Sequence, residues 1–100
     1  MEVKTVEDLK NLEITNYEQG YIYSKIFKSN RYEIRKESET KFAISDGEFY
    51  AGSLYYVPDE NIWKFEGSFF EIDYDEVFDN LELALDFIIE NARTNLIRIM

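Results

Sequence analysis

Residues 41–67 read KFAISDGEFYAGSLYYVPDENIWKFEG. Apolar and aromatic side chains alternate through this stretch, and turn residues interrupt them twice. Asp46-Gly47 is the strongest hairpin signal in the chain, because a type I′ turn needs positive φ at both central positions. Pro58-Asp59-Glu60-Asn61 is the second turn, where proline presets φ at a favoured position. The pattern therefore predicts strands over 41–45, 48–57 and 62–66, folded back on one another. Gly67 breaks or bulges the chain, and residues 68–72 continue the sheet.

Upstream the same period of two extends the meander. Tyr21, Tyr23 and Phe27 fall on one side of a strand, and Ile22 and Ile26 on the other. Ser29-Asn30 turns this strand into the next, over 31–37, and residues 17–20 form a loop before it. Further upstream the period becomes helical. Thr5 with Asp8 resembles a capping box, and Val6, Leu9 and Leu12 recur at helical spacing, so residues 5–13 read as a short helix. Downstream, Leu81, Ala84, Leu85, Ile88, Ala92 and Leu96 form one apolar stripe of a long helix, widened by Phe87 and Ile89. Asp79 with Glu82 gives it a D-x-x-E cap, and Arg93 and Arg98 suit its C-terminal dipole. The layout is helix, antiparallel meander of about five strands, helix: an α+β fold in a single domain, 1–100, with the long helix on one face of a curved sheet.

Strand 48–57 carries apolar residues on both sides. Strict alternation puts Phe49, Ala51, Tyr55 and Val57 on one face and Tyr50, Leu54 and Tyr56 on the other. One long helix cannot cover both. The first helix, sheet curvature or a partner must take the remainder.

Charge is unevenly distributed. Residues 65–92 hold nine carboxylates and no lysine or arginine, whereas the whole 100-residue chain sums to −10. Such a local negative field favours cationic partners and repels anionic ones. The chain has no cysteine and no histidine, which removes thiolate chemistry and the usual general base near neutral pH. No phosphate-binding loop, dinucleotide fingerprint or nucleophile elbow occurs. Met1-Glu2-Val3-Lys4 begins no signal peptide, and no apolar run reaches the roughly 20 residues of a membrane span. The expectation is a cytoplasmic, non-enzymatic protein without cofactor or membrane anchor.

The candidate interface is acidic: Asp73, Asp75, Glu76, Asp79, Glu82, Asp86 and Glu90. Asp73-Tyr74-Asp75-Glu76 reads as a solvated loop leading into the helix N-terminus. A calcium loop counted from Asp73 needs Gly at its sixth place and Glu at its twelfth, but these hold Phe78 and Ala84. No metal site is therefore expected. Glu82, Asp86 and Glu90 follow at i, i+4 and i+8, about 6 Å apart along the helix axis. Like charges at this spacing destabilise a helix slightly, so a stripe of them suggests a surface that meets a basic partner.

Two other readings compete. Tyr21, Tyr23, Tyr50, Tyr55, Tyr56 and Trp63 could form a sheet surface for homodimerisation. With the bases of the hairpin at 25–41 (Lys25, Lys28, Arg31, Arg35, Lys36 and Lys41) they could instead stack and bind single-stranded nucleic acid. The acidic total disfavours direct nucleic-acid binding. In layout the chain resembles small acidic phage-type inhibitors such as anti-CRISPR proteins. The likeness rests on the short helix carrying Val6 and Leu12, the meander, and the acids from Glu71 to Glu90. It implies competition with DNA or RNA for a nuclease complex or another basic, nucleic-acid-handling protein, as a DNA mimic, without a cofactor.

Overall fold

Between Tyr32 and Phe78 the chain runs back and forth through five strands, each antiparallel to the next. The computed structural model describes residues 2–15, 24–26 and 31–93. In chain order the elements are β1 (Glu2–Val3), α1 (Val6–Lys10), β2 (Ser24–Ile26), β3 (Tyr32–Ser38), β4 (Lys41–Asp46), β5 (Phe49–Val57), β6 (Ile62–Phe69), β7 (Ile72–Phe78) and α2 (Leu81–Ala92). One sheet holds all seven strands in sequence order, with β1 parallel to β2. The architecture is α+β, as expected. The loop at 17–20, the Ser29-Asn30 turn, the faces of Tyr21, Ile22, Tyr23 and Phe27, and Leu96 and Arg98 lie outside the described residues.

Both helices cover one face of the sheet. Ile34, Phe42, Ile44, Leu54, Trp63, Phe65 and Phe69 point into the core from that face. Across the ladder Ile34 faces Ile44, Phe42 faces Leu54, and Leu54 faces Phe65. Burying each large apolar side chain contributes about 1.5–3 kcal/mol. α2 lays Ala84, Leu85, Ile88, Ile89 and Ala92 onto this layer. Its Phe87 meets Phe65, Tyr74 and Phe78, with ring centroids 5.6, 5.2 and 5.2 Å away. α1 sits over the β3 end, where Lys36 Nζ donates to the Lys10 carbonyl at 3.1 Å. Thr5 caps α1 reciprocally with Asp8, but the helix is five residues long and ends at Asn11. Buried Leu12 lies past its end, which is why the apolar spacing overstated its length.

The central turns reverse the chain where expected, with different details. Asp46 pairs with Phe49, so Gly47 and Glu48 are the central residues, one position later than the sequence suggests. Only Gly47 has positive φ, at 64°, which is the sign pattern of a type II′ turn rather than I′. The register then shifts between Ile44 and Ser45, leaving Ala51 as an extra residue in β5. This bulge overturns strict alternation: Tyr50 pairs with Ser45 on the outer face, and Ala51 joins the core cluster.

Gly67 does not break the sheet. β6 runs through it to Phe69, and its register with β5 holds without a shift as far as Gly67. It faces Gly52, and a Cβ on Gly52 would lie 2.8 Å from both Glu66 O and Gly67 Cα. The pair of glycines lets two backbones approach where no side chain fits, with the Phe65 ring beside them.

Phe70 and Glu71 form a two-residue turn with φ of 51° and 70°, both left-handed. The acidic segment after it is β7, paired with β6 through seven residue pairs, and is not a loop. Gly67→Ala is expected to lower stability by about 1–3 kcal/mol, because a methyl group is forced against backbone. Glu71→Gly is expected to raise it by about 1 kcal/mol, because glycine takes positive φ without strain. Denaturant midpoints measure both. An unshifted Gly67→Ala midpoint would contradict the close approach of β5 and β6.

Candidate acidic interface

The seven expected interface acids do not share one surface. Asp73 and Asp75 project from the outer face of β7, opposite Ser68 and Glu66 of β6. Glu76 projects from the other face, in line with Tyr74 and Phe78, the two residues that meet Phe87. Asp79 lies exposed between β7 and α2. It does not cap the helix. Asn80 does, its Oδ1 accepting from Leu83 N at 2.9 Å. An acid one residue earlier still suits the positive end of the helix dipole.

On α2, Glu82, Asp86 and Glu90 occupy the exposed side, opposite the buried stripe, as helical phase predicts. Their surroundings differ. Glu82 is held by Lys10 of α1 at 2.8 Å, so it ties the two helices together and is only partly available to a partner. That hydrogen bond holds the Glu82 carboxyl below its ordinary range and raises Lys10 above its own. Glu90 has Arg93 at 3.9 Å. Asp86 has no cation beside it among the described residues.

The outer face of the sheet carries a polar ladder across three strands. Tyr55 of β5 donates to Glu66 of β6 at 2.6 Å, and Lys64 reaches Glu66 at 3.3 Å and Asp75 of β7 at 3.7 Å. The Tyr55 hydroxyl is the main cause of a lowered Glu66 carboxyl, with Lys64 next. Conversely Glu66 raises the Tyr55 hydroxyl, and Glu66 then Asp75 raise the Lys64 ammonium. Asp75 is therefore partly neutralised from within, while Asp73 has no such neighbour among the described residues.

The bases expected to form a patch at 25–41 are dispersed and engaged. Arg31 pairs with Asp46 at 3.1 Å and lies over the rings of Tyr32 and Phe70. Arg35 is buried on the outer face with Glu37 at 3.0 Å, and Lys41 approaches the same carboxylate at 3.9 Å. Lys36 points to the inner face, over Phe42, and pairs with Glu39 at 3.3 Å. Lys28 and the Lys25 side chain lie outside the described residues. The aromatic platform is likewise divided. Trp63 and Tyr56 belong to the inner face, their rings 5.5 Å apart. Tyr50 and Tyr55 belong to the outer one, and Tyr21 and Tyr23 are outside the described residues. Among the described residues Phe49 and Tyr50 are the most exposed large apolar side chains, at 77% and 71%.

Sequence reasoning missed Lys10, Lys64 and Glu66 as neighbours of the acids. It also missed that three of the acids sit on a strand. One signal was present: Ile72, Tyr74 and Phe78 alternate with Asp73, Asp75 and Val77. Among the described residues no group of three acids converges as a metal site, and no helix is long and apolar enough to cross a membrane. No family model, curated protein or solved structure matches the chain.

Because Glu82 titrates below its ordinary 4.5 when folded, its pairing stabilises the protein above that range. That stabilisation disappears as pH falls through the lowered value. Glu82→Gln should therefore shrink the stability lost between about pH 6 and pH 3, measured by denaturant titration at each pH. An unchanged acid loss would remove the Lys10–Glu82 tie from the account. Asp86→Lys should stabilise the fold by about 1 kcal/mol, since it removes two repulsive i, i+4 pairs and adds two attractive ones. A destabilised Asp86→Lys would contradict its outward placement.

Proposed function

We propose that the protein is a non-enzymatic inhibitor or interaction module whose acidic C-terminal half binds a basic surface on a nucleic-acid-handling protein. The observation that carries this reading is the exposure of Asp86 and Glu90 on α2, with no cation offsetting Asp86 among the described residues. Lys10, Arg31, Arg35, Lys36, Lys41 and Lys64 are all engaged by carboxylates, Lys10 by Glu82 and Lys64 by Asp75 of the acidic half and the others elsewhere. The carboxylates of the acidic half without a cation beside them include Asp73 on β7 and Asp86 on α2, among the described residues. Carboxylates about 6 Å apart along a rigid helix present a regular anionic row, the property a DNA mimic needs. A groove that evolved for phosphates meets such a row by charge alone. A nuclease complex in the cytoplasm is a target of this kind, in keeping with the resemblance to anti-CRISPR inhibitors. No cofactor has a part in it.

A second reading, self-association, is favoured by the exposed Phe49 and Tyr50 at one end of β5. The two separate in one experiment. Immobilised protein is exposed to lysate at low and high salt, and bound proteins are challenged with duplex DNA. The first reading expects a basic, nucleic-acid-handling protein that salt and DNA both release. It also expects several-fold less capture by Asp86→Lys combined with Glu90→Lys. Capture indifferent to that charge reversal would sink it. Recovery of the chain itself alone, sensitive to Tyr50→Ser, would favour self-association.

A further inference from the structure

β7 ends the sheet, and among the described residues no strand lies along its other side. Its ladder with β6 begins at a two-residue turn, so Phe69 and Ile72 form a hydrogen-bonded pair. Pairs alternate along an antiparallel ladder. Ile72, Tyr74, Glu76 and Phe78 thus bond inward to β6, while Asp73, Asp75 and Val77 turn their N–H and C=O groups outward. That outward row is a template for another strand.

Among the described residues most devices that blunt such an edge are missing. β7 is seven residues long and keeps one register with β6 throughout, without a bulge. It contains no proline and no lysine. Val77 and Ile72 are 55% and 41% exposed, which leaves apolar surface beside the open backbone. Among the described residues the blunting feature is charge of one sign: Asp73 and Asp75 on the outer face and Glu76 on the other. Against a second copy this charge is unfavourable. Two β7 strands related by a two-fold axis through their centres would set Asp75 opposite itself, and like charges directly opposite destabilise a pair. Against a basic strand the same residues attract.

We propose that the free edge of β7 takes up an extended segment of the partner, with lysine or arginine at alternate positions, as the next strand of the sheet. This rests on the reading of the protein as a binder of basic proteins and names how the partner is gripped. Backbone pairing to Asp73, Asp75 and Val77 supplies directional bonds, and alternate basic side chains meet Asp73 and Asp75. Their aliphatic stems cover Val77.

The test uses the full chain and a fluorescent peptide, Thr-Lys-Val-Lys-Val-Lys-Thr. A control peptide has the same sequence but is N-methylated at its three lysine amides, so that it keeps its charge and cannot form a ladder with lysines opposite Asp73 and Asp75. The intact peptide should slow amide exchange at Asp73, Asp75 and Val77 about tenfold or more, and the methylated one should bind about tenfold more weakly. Val77→Pro removes one outward N–H without changing charge, and should weaken binding by a similar factor. Equal binding of the two peptides, or protection that avoids these three amides, overturns the proposal. If Val77→Pro does not melt cooperatively, the two peptides decide on the parent protein. Failure of the broader reading looks different: lysate capture would be indifferent to charge reversal on α2, whatever happens at β7.

Discussion

Two consecutive residues in left-handed conformation, Phe70 and Glu71, decide where the acidic half of the chain goes. Neither is a residue that adopts positive φ easily, and each costs roughly 1–2 kcal/mol in that conformation. The turn is held from outside. Buried Tyr32 accepts a hydrogen bond from Phe70 N at 2.6 Å, and its ring meets the Phe70 ring edge-on at 5.1 Å. Arg31 lies over both rings. A turn with positive φ at both central residues matches the twist of its strands, so β7 lies along β6 in full register. Tyr74 and Phe78 then reach Phe87, and α2 acquires its anchor. The faces of Asp73, Asp75 and Glu76, and the position at which α2 starts, all descend from this one reversal.

The charge pattern follows from what the rest of the fold does with its cations. Arg31 secures the strained turn and Asp46, and Lys36 binds α1 to β3. Lys64 joins Glu66 to Asp75, and Lys10 joins α1 to Glu82. Each has a structural task within the domain. What remains over is negative, and it remains where few bases are placed. Exposed pairs of this kind add little stability individually, so their main effect is to set where uncompensated charge sits.

Legibility in the sequence tracked how local each cause was. The Asp46-Gly47 and Pro58–Asn61 reversals could be read because turn chemistry resides in the turn residues themselves. The exposure of Asp86 and Glu90 could be read because helical phase alone sets it. β7 could not, because Phe70-Glu71 carries no turn signal and its support, Tyr32, is 38 residues away. The acids at 73, 75 and 76 also masked the alternation of Ile72, Tyr74 and Phe78. Gly67 was legible as special, but its reason is Gly52 on the neighbouring strand. The partner of Glu82, Lys10, lies 72 residues away. The Ala51 bulge reversed the faces of Phe49 and Tyr50 because a single extra residue inverts every side chain beyond it.

The two acidic surfaces are physically different, and that difference bears on binding. The α2 acids are exposed carboxylates on a helix whose backbone is already bonded within itself. They act as point charges, and beyond a Debye length of about 8 Å at physiological salt their influence fades. Such groups steer an approaching basic surface more than they fix its position. The β7 acids stand on a strand with an open row of backbone groups, and those groups are directional. They distinguish an extended segment in register from a diffuse cation. A partner drawn in by α2 and gripped along β7 would dissociate with weaker salt dependence than it associates. A surface built only of point charges would lose affinity and association rate together.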